Sequence, residues 1–227
     1  MSPSKPSVVF AHGLWADGSC YSKLIPVLQR EGHEVVSAQN SLDSLEGDVD
    51  AVRRALARVS APAVLVGHSW GGFVITEAGN DDRVAGLVYI AALAPDVGET
   101  PQDLIGRFDP PPLFAHLDEE DGRIWIARDG ISDFCGDLSE EDQHLVWATQ
   151  ISANAPVLGA TVDTPAWKSK PSWYLVTAQD HAVVPAHQRF AADRMGATVV
   201  ETDSAHVPML SQPEVVLDVI RSAAAAV

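Results

Sequence analysis

The run Gly67-His68-Ser69-Trp70-Gly71 sets a serine inside the pattern G-x-S-x-G, at a point where the pattern has a mechanical meaning. Ala63-Val64-Leu65-Val66 precedes it, a short apolar run of the kind that forms a buried strand. Gly72-Phe73-Val74-Ile75-Thr76-Glu77-Ala78 follows and can continue as a helix. A serine on a sharp strand-to-helix turn is lifted clear of the fold with its hydroxyl presented outward. The glycines suit a strained turn with backbone packed closely on both sides. The helix start points unpaired N–H groups at any anion that forms there. By itself the pentapeptide is only a glycine-rich turn, so the rest of the chain must supply its partners.

Strand-like and helix-like segments alternate along the chain. Ser7–Ala11, Glu34–Ala38, residues 63–66, Val84–Leu93, Ser172–Thr177 and Ala197–Glu201 read as strands. Leu24, Ile25 and Leu28 give Ser19–Arg30 a helical spacing, and Leu45, Val49, Val52, Leu56 and Val59 do the same for residues 45–60. Residues 185–195 read as a helix closed by Gly196. Ser211-Gln212-Pro213-Glu214 predicts a capping box that opens the terminal helix. This alternation predicts an α/β fold with a mainly parallel central sheet and helices on both faces. Its strands should be buried on both sides, with ligands at their carboxyl ends.

Residues 95–170 break the alternation and are longer than a crossover needs. They hold Pro110-Pro111-Pro112, the acidic run Asp118–Asp121, and a helix opened by Ser139. We expect a helical cap insertion there, over a core made of residues 1–94 and 171–227. A length of 227 residues fits that single domain.

A serine hydroxyl needs a base, and the base in such a fold sits after the last strand. Of the eight histidines, His206 alone stands there. Asp180 follows the strand 172–177 and can hold the tautomer of His206; Asp96, after the strand 84–93, is the competing acid. The order Ser69, Asp180, His206 is the one this fold uses. An oxyanion also needs donors. Trp70 N–H, just past the nucleophile, is one. The loop His12-Gly13-Leu14-Trp15 supplies the other, from Leu14 N–H or Trp15 N–H. His12 is read as a brace of this loop. With Gly13 and Trp15 it stands at the substrate side, and Trp125, Phe134 and Trp147 are expected to form the wall contributed by the cap.

These residues together resemble the α/β-hydrolase superfamily. Phe10-Ala11-His12-Gly13, Gly67–Gly72, the Asp180 turn and Ser204-Ala205-His206 carry the resemblance. Within it the chain is similar to the small, single-cap branch of plant methyl esterases, hydroxynitrile lyases and bacterial esterases. The resemblance implies a serine hydrolase with Ser69, Asp180 and His206 as triad and Leu14 and Trp70 as oxyanion donors. The similar lyases carry threonine and lysine where this chain has Gly13 and Val207, which weighs against lyase chemistry.

The expected reaction is hydrolysis of a small carboxylic ester, lactone or thioester, with no cofactor and no metal. A lyase using the same triad and an inactive binding protein are the alternatives. A net charge of −16, from 31 acidic and 15 basic residues, argues against nucleic acid and anionic membrane as partners. His33-Glu34-Val35-Val36-Ser37 lacks the second histidine of a zinc-protease motif. Cys20 and Cys135 are read as reduced thiols, and the opening Met1–Ser7 shows no secretory signal. The expected setting is cytoplasmic, as a monomer or homodimer.

Overall fold

The computed structural model describes residues 5–60 and 62–227; Met1–Ser4 of the polar opening segment lie outside the described residues. In chain order the strands are β1 (Ser7–Ala11), β2 (Val35–Ser37), β3 (Ala63–His68), β4 (Val84–Ile90), β5 (Leu117–Glu120), β6 (Arg123–Ile126), β7 (Ala153–Asn154), β8 (Ser172–Thr177) and β9 (Thr198–Thr202). The helices are α1 (Ile25–Arg30), α2 (Leu45–Leu56), α3 (Trp70–Ala78), α4 (Pro101–Ile105), α5 (Ile131–Cys135), α6 (Glu140–Thr149), α7 (Pro185–Met195), α8 (Pro208–Ser211) and α9 (Pro213–Ala226).

Six strands form one parallel sheet in the order β2-β1-β3-β4-β8-β9. β1, β3 and β8 are buried along their whole length, which their near-continuous apolar sequences require. β9 departs from this expectation. It is an edge strand, and Thr198–Glu201 are exposed. The sheet order reverses between β1 and β3, so the strand ends there open a crevice. Two helix ends have a clear local cause. Ser44 Oγ accepts the Gly47 N–H at 3.1 Å and caps α2, whose first turn holds Glu46 and Asp48. Gly196 closes α7 at φ 60°, in the left-handed region.

Three further expectations change. Ser19–Arg30 is not one helix: a 3₁₀ turn over Gly18–Tyr21 precedes α1, whose first turn holds Pro26, a residue without the N–H a continuous helix needs. The capping box at Ser211 does not form. Ser211 ends α8 and its hydroxyl pairs with Ser204 Oγ at 2.9 Å, so α9 starts without a side-chain cap. Residues 95–170 are not purely helical. They also carry the antiparallel sheet β5-β6-β7, whose hairpin turns through Asp121 and Gly122 at φ 51° and 73°. Among the described residues, no helix is long and apolar enough to cross a membrane.

The contact between β1 and α3 leaves no spare room. A Cβ on Gly71 would sit 2.0 Å from the Ala11 carbonyl oxygen. Gly71→Ala should therefore lower the unfolding free energy in urea by about 2–3 kcal/mol. Gly159→Ala, whose Cβ would meet nothing within 4 Å, should leave it nearly unchanged. Equal midpoints for the two variants would contradict this packing.

Candidate active site

The end of β3 turns into α3 through a single residue. Ser69 takes φ 54° and ψ −120°, a conformation that costs a non-glycine residue about 1–3 kcal/mol. The surrounding backbone holds it there: Ser69 N–H donates to Ile90 O at 3.1 Å, and Leu93 N–H donates to Ser69 O at 3.2 Å. The side chain is largely buried but lines an apolar cavity. Its hydroxyl makes no hydrogen bond among the described residues.

His206 follows β9 and is 1% exposed. Its Nδ1–H donates to Asp180 Oδ2 at 2.7 Å. Asp180, just past β8, is held by four further donors. Ala182 and Val183 N–H reach Oδ1 at 2.8 Å, and Thr177 Oγ and Gln188 Nε2 reach Oδ2 at 2.8 Å. Gln188 also donates to Thr177 Oγ and to Val183 O, so α7 and the loop before it fix the carboxylate as one unit. The competing acid, Asp96, lies elsewhere: it pairs with Lys168 and accepts the Val97 N–H. Because Nδ1–H faces a carboxylate, Nε2 of His206 carries the lone pair, and it has no partner among the described residues. Ser69 Oγ and His206 Nε2 are not hydrogen-bonded to each other here. Such bonds are often long in a free enzyme and tighten with substrate.

His68 was not singled out from sequence, yet it links the two. It directly precedes Ser69, its ring lies 4.7 Å from that of His206, and its Nε2–H donates to the His206 carbonyl at 2.7 Å. Burial first, then the neighbouring His206, holds its pKa well below the ordinary value, so it stays neutral.

The first loop lies against the serine. A Cβ on Gly13 would come within 2.7 Å of Ser69 Cβ, so only glycine permits this approach. Leu14, Trp15 and Trp70 have backbone N–H groups without an acceptor among the described residues. For Trp70 this follows from its place in the first turn of α3. Trp15 sits at φ 58°.

Of the residues expected to contact substrate, only Trp15 lines the cavity, alongside Leu14 and Trp70. His12 is fully buried with both ring nitrogens occupied: Nδ1–H donates to Gly13 O and Nε2 accepts the Asn40 N–H. It braces the loop. Gly13 lies beneath Ser69. Trp125 points outward at 37% exposure, because strand alternation in β6 gives the inner face to Ile124 and Ile126. Trp147 donates its indole N–H to Ile126 O and stacks on Arg128. Phe134 packs on the rings of Trp15 and His206, outside the cavity. The missed walls are Leu93, Pro101, Ile105, Phe114, Leu117, Ile124, Leu158, Ala182 and Val183. Ser69 alone contributes a hydrogen-bonding side-chain atom. The indole N–H of Trp15 is spent on Ile124 O, and that of Trp70 on Asp48 Oδ2. No group of three His, Cys, Asp or Glu side chains suited to a metal occurs among the described residues. Both cysteines are free, and burial pushes the Cys135 thiol up to about 12.

The family model of the alpha/beta hydrolase family matches residues 8–219. The chain is 30% identical to the alpha/beta hydrolase nvfD of Aspergillus novofumigatus, over 97% of each chain. It is 31% identical to a carbendazim hydrolyzing esterase of Nocardioides, over 48% of this chain and 51% of that one. A solved pyrethroid hydrolase from Sphingobium faniae shares the fold with a TM-score of 0.83 at 22% identity, covering 97% of this chain and 98% of its own.

Buried neutral histidines make the fold acid-sensitive. His187 is held at about 4 against an ordinary 6.5, mainly by burial, and His12 and His68 are shifted the same way. Between those values the unfolded chain binds a proton that folded His187 refuses. Stability should be full above about pH 6.5 and fall towards pH 4, by up to about 1.4 kcal/mol per pH unit per histidine. Urea midpoints measured across that range should show a shallower slope for His187→Phe; identical slopes would contradict the assignment.

Proposed function

The chain belongs to the alpha/beta hydrolase family, and on that premise we propose that it is a serine hydrolase of neutral, apolar carboxylic esters. The reading rests chiefly on one observation. His206 is anchored to Asp180 through Nδ1 and to His68 through its carbonyl, its Nε2 is left without a partner among the described residues, and Ser69, next to His68 in the chain, opens into an apolar cavity. In this reading Ser69 Oγ attacks the ester carbonyl while its proton passes to His206 Nε2. The imidazolium that forms is stabilised by Asp180. The carbonyl oxygen becomes an oxyanion held by the N–H groups of Leu14 and Trp70. His206 returns the proton to the leaving alcohol as the carbon–oxygen bond breaks, giving an acyl-Ser69. Water, deprotonated by His206, then releases the acid and restores the serine.

Esterase function is supported by the carbendazim hydrolyzing esterase, which matches 48% of this chain, and by a methylesterase of Arabidopsis thaliana, which matches 94% of it at 21% identity. The cavity walls favour uncharged acyl and alcohol parts, since no side chain there could pair a charge. Residues 95–170 act in this reading as a cap, supplying Pro101, Ile105, Phe114, Leu117, Ile124 and Leu158 to those walls. Gly13 has no side chain, and Val207 is apolar and lies outside this cavity, so neither serves a cyanohydrin hydroxyl.

Ser69→Ala and His206→Gln should each lower kcat for p-nitrophenyl butyrate by about 10⁴-fold. A fluorophosphonate probe should label Ser69 in the unaltered protein. Near-normal turnover in either variant, or no labelling, would overturn the assignment. The monoanionic p-nitrophenyl succinate should be cleaved with a kcat/KM lower by about a hundredfold than the butyrate. Equal rates would contradict an apolar acyl site.

A further inference from the structure

Asp48, in the first turn of α2, is fully buried and does not line the Ser69 cavity. Its two oxygens are used separately. Oδ2 accepts the Trp70 indole N–H at 2.8 Å, and Oδ1 accepts the Leu42 backbone N–H at 3.1 Å. Burial pushes the carboxyl up from its ordinary value, and the Trp70 and Leu42 donors offset only part of this. A buried carboxylate is costly, and an apolar group of the same shape facing apolar neighbours would pack as well. Packing alone therefore does not account for Asp48.

Both of its bonds lead towards the amides read above as oxyanion donors. Trp70 carries one of those N–H groups itself, and its buried ring is fixed between Asp48 and Phe73, which stacks on it at 5.1 Å. Leu42 sits at φ 60°, a strained conformation for a residue with a side chain. Two residues earlier, Asn40 is bound twice to the first loop. Its N–H donates to His12 Nε2 at 2.9 Å, and its Nδ2–H donates to the His12 carbonyl at 3.0 Å. Gly13 and then Leu14, the other donor, follow His12 in the chain. One carboxylate thus joins the Trp70 side of the site to the Leu14 side through residues 40–42.

We propose that Asp48 is a positioning residue of the oxyanion site, setting the separation of the Trp70 and Leu14 amides without touching the substrate. The inference rests on the hydrolase reading above and extends it to a residue outside the cavity. The oxyanion forms only as the reaction proceeds, so its donors must already stand where the charge will be. A displacement of about 1 Å can cost about a hundredfold in rate.

The test compares p-nitrophenyl butyrate with its thiono analogue, in which sulfur replaces the carbonyl oxygen. Sulfur is a larger and weaker acceptor, so amides placed for an oxyanion contribute little to the thiono reaction. The wild-type enzyme should favour the oxo ester, and the ratio of the two kcat/KM values does not depend on how much of a preparation is folded. Asp48→Asn keeps an acceptor for one donor and turns an NH₂ group on the other; it should lower that ratio about tenfold. Asp48→Ala loses both acceptors and should lower it about a hundredfold. Trp70→Phe removes the indole donor but keeps the backbone N–H, and should also lower the ratio. Adding Asp48→Asn to it should change the ratio by less than about twofold, since the amide oxygen then has only Leu42 to serve.

If the variants lose activity towards both esters equally, Asp48 is structural only, and the positioning role is overturned while the hydrolase reading stands. Effects of Asp48→Asn and Trp70→Phe that simply multiply overturn the link through the indole in the same way. A wild-type enzyme with no preference for the oxo ester removes the oxyanion donors, and the role of Asp48 with them. If neither ester is hydrolysed and Ser69 resists the fluorophosphonate, the hydrolase reading itself falls. Should Asp48→Ala not fold, Asp48→Asn and Trp70→Phe decide.

Discussion

Everything at the site depends on a backbone conformation that Ser69 would not adopt by choice. The turn at φ 54° is kept because β1, β3 and α3 meet without clearance: Gly71 packs on the Ala11 carbonyl, and Gly13 on the Ser69 side chain. Trp15 and Ala91 also sit at positive φ, at 58° and 47°. All three lie just beyond the carboxyl ends of adjacent strands, β1, β3 and β4. Each of these strands is followed by a residue held at positive φ. The strain is local, and the buried parallel sheet beneath stabilises the fold enough to hold it.

The same edge fixes His206. His206 is constrained at three points: Nδ1 by Asp180, its carbonyl by His68, and its N–H by the Phe134 carbonyl. One atom, Nε2, is left without a partner. His68 couples this to the elbow, because the residue that holds the His206 loop is the chain neighbour of the serine. Asp180 is in turn oriented by Thr177, Gln188 and two backbone amides, so its carboxylate is held without contacts from residues 95–170. Positioning of this kind, completed before substrate arrives, is what electrostatic stabilisation of an oxyanion requires.

The sequence made the core readable because strands buried on both faces leave continuous apolar runs, and because residues on strand exits are ordered along the chain as they are in space. The elbow, Asp180 and His206 follow from that logic. Residues 95–170 did not yield to it. Whether Trp125 or Ile124 faces inward is a matter of one residue of register in β6, and nothing local in Arg123–Ile126 sets it. The hairpin at Asp121-Gly122 was legible in principle, since that dipeptide is a turn signal, but its acidic neighbours masked it. Ser211 matched a capping pattern and was claimed instead by the preceding α8 and by Ser204. His68, Thr177, Gln188 and His187 carry no spacing signal at all, since their roles arise only when distant segments meet.

The central claim is that Ser69, His206 and the amides of Leu14 and Trp70 converge on one reacting carbon. A crystal structure of the protein inactivated with a small alkyl fluorophosphonate tests it most directly. The account predicts phosphorus bonded to Ser69 Oγ and the phosphoryl oxygen about 2.7–3.1 Å from both amide nitrogens, with His206 Nε2 facing the adduct. An adduct on another residue, or a phosphoryl oxygen turned away from both amides, would contradict it.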